Sequence, residues 1–123
     1  MTSGESKMPI RGNERSAVIE LISDINVFIS DKDILIKRAG GELTLTGSRN
    51  ALFPDIMLFS DTTRTQVLQG WEAKMPDVSI TDETLIKNAT QKAILLGANS
   101  FVLWNFKAAR LYVKGHTGSY SII

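Results

Sequence analysis

The sequence predicts an α/β domain in which a central mixed sheet is flanked by helices. Three observations support this class: the length fits one packed core, helical and strand periodicity alternate along the chain, and the order is helix, three strands, helix, two or three strands. The chain has 123 residues, of which 43% are hydrophobic. This is enough for one core and too little for two. We therefore expect a flexible tail over residues 1–12 and a single domain over residues 13–123.

The first predicted helix covers residues 14–29, with Asn13 at the N-cap position. One helical face carries an apolar stripe made of Val18, Leu21, Ile22, Ile25 and Ile29. Glu14 falls inside this stripe, whereas Glu20 projects away from it. Glu14 is therefore the acid of this helix that we expect to face the body of the domain.

Two strands are predicted before the middle of the chain. Residues 33–46 indicate a strand or hairpin interrupted at Gly40 and Gly41, and residues 47–50 form a turn. Residues 54–59 begin with a proline, which is tolerated at the first position of a strand, and continue as a nearly unbroken apolar run. This run predicts a buried second strand.

The third predicted strand covers residues 66–75 and ends at Pro76. Its alternation places Val67, Trp71, Ala73 and Met75 on one face and Leu68, Glu72 and Lys74 on the other. Glu72 and Lys74 are therefore charged residues in a strand that is otherwise typical of a core. Buried charges are unfavourable unless they are paired, so the simplest structural interpretation is an ion pair between these two side chains.

The second half of the chain predicts a helix followed by strands. Residues 81–83 supply an N-cap and first-turn acids for a helix that reaches Leu96 and ends at Gly97. Short strands are predicted over residues 101–105, 110–113 and 120–123.

Composition restricts the chemistry and the location. The chain has no Cys and one His, His116, which excludes disulfides, thiol nucleophiles and zinc clusters. All 13 acids lie in residues 1–83, where 9 bases leave a net charge of −4, and residues 84–123 carry +5. This polarity favours a polyanionic partner. No membrane-spanning run and no secretory leader is evident, so we expect a cytoplasmic protein without a membrane partner.

Asp55 stands at the start of the second strand, where it would lie beside Glu72 and Lys74 of the third strand. Two adjacent carboxylates repel each other unless a cation joins them. Oxygen ligands without Cys or His clusters favour a hard cation, so magnesium or manganese is expected rather than zinc.

These residues carry a resemblance to a known family. The pair Pro54-Asp55, followed one strand later by Glu72-Ala73-Lys74, resembles the PD-(D/E)xK nucleases. The order of elements over residues 13–113 is similar to the core of that family. Residues 101–105 and 110–112 also resemble the N-terminal nuclease modules of restriction-modification enzymes. The resemblance implies a restriction-endonuclease-like core.

The resemblance also implies roles for particular residues. Asp55 and Glu72 would bind Mg²⁺ or Mn²⁺ together with the backbone carbonyl of Ala73. Lys74 would face the scissile phosphate as a charged group that orients the attacking water, and Glu14 would be the helix acid that touches the metal site.

Further residues follow from the second helix and the strands after it. Many relatives carry a Gln on this helix and a Tyr four residues later. Here Asn88 and Lys92 have that spacing beside the buried stripe, whereas Gln91 points away from it. We expect Asn88 and Lys92 to contact DNA, together with Lys107 and Arg110.

The sequence thus predicts a metal-dependent DNA endonuclease domain, with DNA as its partner and a homodimer as one expected assembly. The apolar end of the chain suggests an N-terminal fragment followed by methyltransferase, helicase or target-recognition domains. The nearest enzyme alternative is a Holliday-junction resolvase or another DNA-repair nuclease. Two other interpretations stay open: a decayed nuclease fold that binds nucleic acid or acts as a scaffold, and an unrelated α/β domain with a chance motif.

Overall fold

The structure is a computed structural model that describes residues 10–41, 53–63 and 65–123, with the side chains of the first helix described from residue 15 onward. The predicted strand segment 42–46 and the predicted turn 47–50 lie outside this part. The described chain forms two helices and six strands, which confirms the predicted α/β class. They are α1 (Ile10–Ile29), β1 (Arg38–Gly40), β2 (Ile56–Phe59), β3 (Val67–Ala73), α2 (Glu83–Leu96), β4 (Ser100–Trp104), β5 (Ala109–Lys114) and β6 (Tyr120–Ile122).

The six strands form one mixed sheet in the order β1-β2-β3-β4-β5-β6. β3 and β4 are parallel, and the other neighbouring strands are antiparallel. α2 makes the crossover between β3 and β4 that a parallel pair requires. The helix therefore starts near the end of the sheet at which β3 finishes.

The two helices cover opposite faces of the sheet. Trp71 packs with Ile56 and Leu58 in the cluster beneath α1, whereas Glu72, the next residue of β3, contacts Lys92 of α2. Neighbouring residues of a strand point to opposite faces, so α1 and α2 lie on either side of β3. Neither helix in the described part of the chain is long and apolar enough to cross a membrane.

Local sequence determines the bounds of α2. Asp82 is the N-cap, and its carboxylate accepts a hydrogen bond from the Thr84 amide at 3.1 Å. Gly97 adopts a left-handed conformation with φ of 67° just after the last turn. The predicted start and end of this helix are therefore confirmed.

The sequence predictions for the start of α1 and for the face of Val67 are wrong. α1 begins at Ile10, so Asn13 lies inside the helix instead of capping it, and residues 10–12 belong to α1 and not to a tail. Val67 packs in the cluster beneath α2, so it lies on the other face of the sheet from Trp71. The reason is that the pairing of β2 with β3 shifts register between Leu58 and Phe59. The shift leaves Leu68 as an extra residue, and such a bulge reverses the faces of the residues before it.

Candidate functional site

The sheet brings Asp55 and Glu72 together. β2 and β3 are antiparallel with Ile56 opposite Trp71, so Asp55, which directly precedes β2, lies beside Glu72. Asp55 Oδ2 accepts a hydrogen bond of 2.8 Å from the Ala73 amide. This bond fixes the Asp55 carboxylate against the end of β3. The predicted meeting of the two acids is therefore found in the structure.

Glu72 is buried, with 5% of its surface exposed, and its partner is a cation on the helix. Glu72 Oε2 lies 3.0 Å from Lys92 Nζ. The simplest interpretation of the sequence, an ion pair between Glu72 and Lys74, is therefore wrong. The two residues point to the same face of the strand, but α2 packs over this face and delivers Lys92 to the carboxylate.

Lys74 follows the last residue of β3 and is half-buried. Its amide donates a hydrogen bond of 2.8 Å to the Trp104 carbonyl, which continues the pairing of β3 with β4 beyond the strand. The positive charge of Lys74 is close enough to Glu72 to favour the ionised carboxylate. Within the described part of the chain, the charged site thus contains the acids Asp55 and Glu72 and the cations Lys74 and Lys92.

The surroundings raise the pKa of Glu72 from its ordinary value of 4.5 to about 7. Burial is the largest cause, because a carboxylate loses hydration when it is covered, and the negative charge of Asp55 is the second. Lys92 and Lys74 act in the opposite direction. The position is therefore unfavourable for a second negative charge unless a further cation compensates it.

The carboxylates meet part of the requirement for a hard metal ion. Glu72 Oε2 is buried and contacts Lys92 Nζ at 3.0 Å, and none of the other described residues donates a hydrogen bond to it, so it retains a lone pair for a second cation. Among the described residues, no group of three or more His, Cys, Asp or Glu side chains is placed to hold a metal ion. Two carboxylates with a backbone carbonyl and water form the donor set that Mg²⁺ accepts. These residues fit such an ion only with that mixed coordination.

The other predicted residues differ in their relation to the site. Glu14 lies in α1, and its side chain is outside the described part. Asn88 is exposed on α2, one turn before Lys92. Lys107 is exposed in the turn between β4 and β5.

Arg110 lies in the same transverse row of the sheet as Glu72. Leu103 of β4 pairs with Glu72 on one side and with Arg110 on the other. Residues paired in this way point to the same face, so Arg110 is two strand spacings, roughly 10 Å, from Glu72. Arg110 is thus the predicted DNA contact on β5 that shares a sheet face with the site.

Sequence reasoning missed the residue of β3 that makes room for the segment before β2 at the site. A Cβ atom on Gly70 would lie 2.8 Å from Pro54 Cγ, closer than a real contact permits. Gly70 therefore makes room for the proline that directly precedes Asp55. A glycine inside a predicted strand is the available signal, because it often marks close approach of another chain segment.

No family model matches the chain, and neither a curated protein nor a solved structure matches it.

Proposed function

We propose that this chain is the cleavage domain of a cytoplasmic, metal-dependent DNA endonuclease with a restriction-endonuclease-like fold, as in a restriction-modification enzyme. One observation carries the proposal: Asp55 and Glu72 meet where β2 begins and β3 ends, with Lys74 two residues beyond Glu72. The element order and the parallel pairing of β3 with β4 through α2 support the same fold.

Each residue has a role in this proposal. Asp55, Glu72 and the Ala73 carbonyl hold Mg²⁺ or Mn²⁺, and the hydrogen bond from the Ala73 amide keeps Asp55 in place. An ion held by these groups would lower the pKa of a water and offset charge on the phosphate. Lys74 binds the scissile phosphate and orients the attacking water through its ammonium group. The site residues thus provide ligands for a metal ion, a position for the attacking water and an ammonium group for phosphodiester hydrolysis.

The test is cleavage of supercoiled plasmid at low salt with Mg²⁺ or Mn²⁺. We expect the wild type to nick the plasmid and Lys74→Ala to lose at least about 100-fold in rate, as for removal of one group that stabilises transition-state charge. Lys87→Ala, which removes an exposed lysine of α2, is the matched control and should keep the wild-type rate. Equal cleavage by Lys74→Ala, or cleavage that persists with a chelator, would overturn the assigned chemistry.

A four-way DNA junction in the same assay separates the two kinds of nuclease. A strong preference for the junction over linear duplex would favour the Holliday-junction resolvase alternative. Equal cleavage of both would favour the restriction-type cleavage module.

A second candidate function is a nucleic-acid-binding module without catalysis. The ion pair between Lys92 and Glu72 favours it, because the ammonium already compensates the buried carboxylate without a metal. This module is expected to bind DNA in the presence of a chelator and to bind no Mn²⁺ with or without DNA. Mn²⁺ bound through Asp55 and Glu72 would exclude it.

A further inference from the structure

Lys92 is placed differently from the other lysines of the described chain. Its ammonium reaches across the interface between α2 and β3 to a carboxylate that is almost fully covered. The side chains of Lys92 and Glu72 are only 20% and 6% exposed. Ala89 and Ala93 on the same helix are buried, and their small side chains let α2 lie close to the sheet. Lys92 is thus held at the position from which a cation contacts Glu72 Oε2.

Among the described residues, Lys92 and Lys74 already supply positive charge to Glu72. Lys92 contacts its carboxylate directly, and the charge of Lys74 favours its ionised form. A divalent ion that binds Glu72 would meet the Lys92 ammonium at short range. Like charges repel strongly in a partly buried environment, so Lys92 weakens metal binding at least about tenfold unless its ammonium moves.

We propose that Lys92 is a positioning residue that occupies the cation position at Glu72 until DNA binds, so that metal binding and DNA binding are coupled. The inference rests on the proposed function and concerns how the same site is filled. The Lys92 side chain has four flexible carbons and three donors, and its 20% exposure leaves it a route to solvent. A DNA phosphate is the anion that accepts the displaced ammonium. Each ligand then increases the affinity of the site for the other by the same factor.

The test is a titration with Mn²⁺ in which binding is measured by calorimetry. Lys92→Met keeps the length of the side chain and removes its charge, and we expect it to bind Mn²⁺ at least about tenfold more tightly than the wild type without DNA. Lys92→Arg keeps the charge and is expected to stay as weak as the wild type. Lys87→Met removes an exposed charge from the same helix and is expected to change the affinity by less than about twofold.

A phosphorothioate DNA duplex, which resists cleavage, tests the coupling. We expect the duplex to raise the Mn²⁺ affinity of the wild type at least about tenfold, and to raise that of Lys92→Met less. Equal effects of the duplex on both proteins would overturn the role of Lys92 as the group displaced by DNA.

The outcomes separate this inference from the proposed function. One outcome is that Lys92→Met binds Mn²⁺ no more tightly than the wild type, while Glu72→Gln abolishes binding when it is added to either protein. In that case the metal site stands and the inference is wrong. If neither protein binds Mn²⁺ with or without DNA, both are wrong.

Removal of Lys92 leaves a buried carboxylate unpaired, and this change can unfold the protein. In that case we expect Mn²⁺ to restore the folded state of Lys92→Met, as followed by circular dichroism. Failure of Mn²⁺ to increase the thermal stability of this variant would also contradict the inference.

Discussion

Glu72 combines three properties that are rarely found together in one side chain: it is ionisable, buried, and next to a second acid. Its neighbours raise its pKa from 4.5 to about 7, chiefly through burial. The folded state therefore binds a proton more tightly than the unfolded state does. The stabilisation linked to this proton is fully present below pH 4.5 and is lost as the pH rises through about 7.

This linkage predicts a pH dependence of stability that arises from Glu72 alone. The rise in pKa corresponds to on the order of 3 kcal/mol, so we expect the free energy of unfolding of the wild type to fall by a few kcal/mol between pH 4.5 and 8, relative to Glu72→Gln. Urea unfolding of both proteins across this range measures the difference. A difference that stays constant, or grows in favour of the wild type as the pH rises, would contradict the raised pKa of Glu72.

Residue identities alone pointed to much of the site. Asp55, Glu72 and Lys74 stand at strand positions that the alternation of the sequence makes recognisable, and the structure brings the two acids together. The partner of Glu72 was not predictable in this way. Lys92 is 20 residues away in the chain, and only the packing of α2 on β3 determines that its ammonium, and not that of Lys74, reaches Oε2.

At the scale of elements, the local signals were the reliable ones. α2 has the predicted bounds because Asp82 and Gly97 determine its ends through contacts within a few residues. The start of α1 and the face of Val67 were predicted wrongly. Asn13 is compatible with both a cap and a helix interior, and the bulge at Leu68 depends on how β2 pairs with β3.

The close approach of the Pro54 side chain to β3 gives a prediction about Gly70. In Gly70→Ala the added Cβ would clash with Pro54, so we expect a loss of about 1–3 kcal/mol in the free energy of unfolding. Because Pro54 precedes Asp55, weaker Mn²⁺ binding should accompany the loss. Gly115→Ala is the matched control, since its Cβ would lie 3.7 Å from the nearest atom, and thermal melts should show little change. Equal melts for the wild type and Gly70→Ala would contradict the tight packing at this point.

At the scale of the whole molecule, the structure shows where the basic and the acidic halves of the sequence lie. Residues 84–123, with a net charge of +5, supply α2 after its first residue and the strands β4 to β6. Lys92 and Arg110 from this half lie on the sheet face that carries Glu72. The acidic half supplies Asp55 and Glu72, so the site lies where the two halves of opposite charge meet.

This arrangement predicts where DNA phosphates bind. The double variant Lys107→Gln and Arg110→Gln is expected to weaken duplex binding and to reduce the slope of log affinity against log salt by about 2, since each phosphate contact contributes about 0.9. Fluorescence anisotropy at several salt concentrations measures both. Lys32→Gln, an exposed lysine between α1 and β1, is the control and should leave the slope unchanged. An unchanged slope in the double variant would place the DNA elsewhere.

The most direct test of a metal-dependent nuclease site is Mn²⁺ binding by the wild type and by Asp55→Asn in the presence of a phosphorothioate duplex. Asparagine keeps the shape and an oxygen that accepts the Ala73 hydrogen bond, so the substitution removes the charge with little else. We expect saturable binding by the wild type, a loss of at least about tenfold in Asp55→Asn, and no loss in Asp77→Asn, which changes an exposed aspartate. Equal Mn²⁺ affinity in all three proteins would show that Asp55 and Glu72 do not form a metal site.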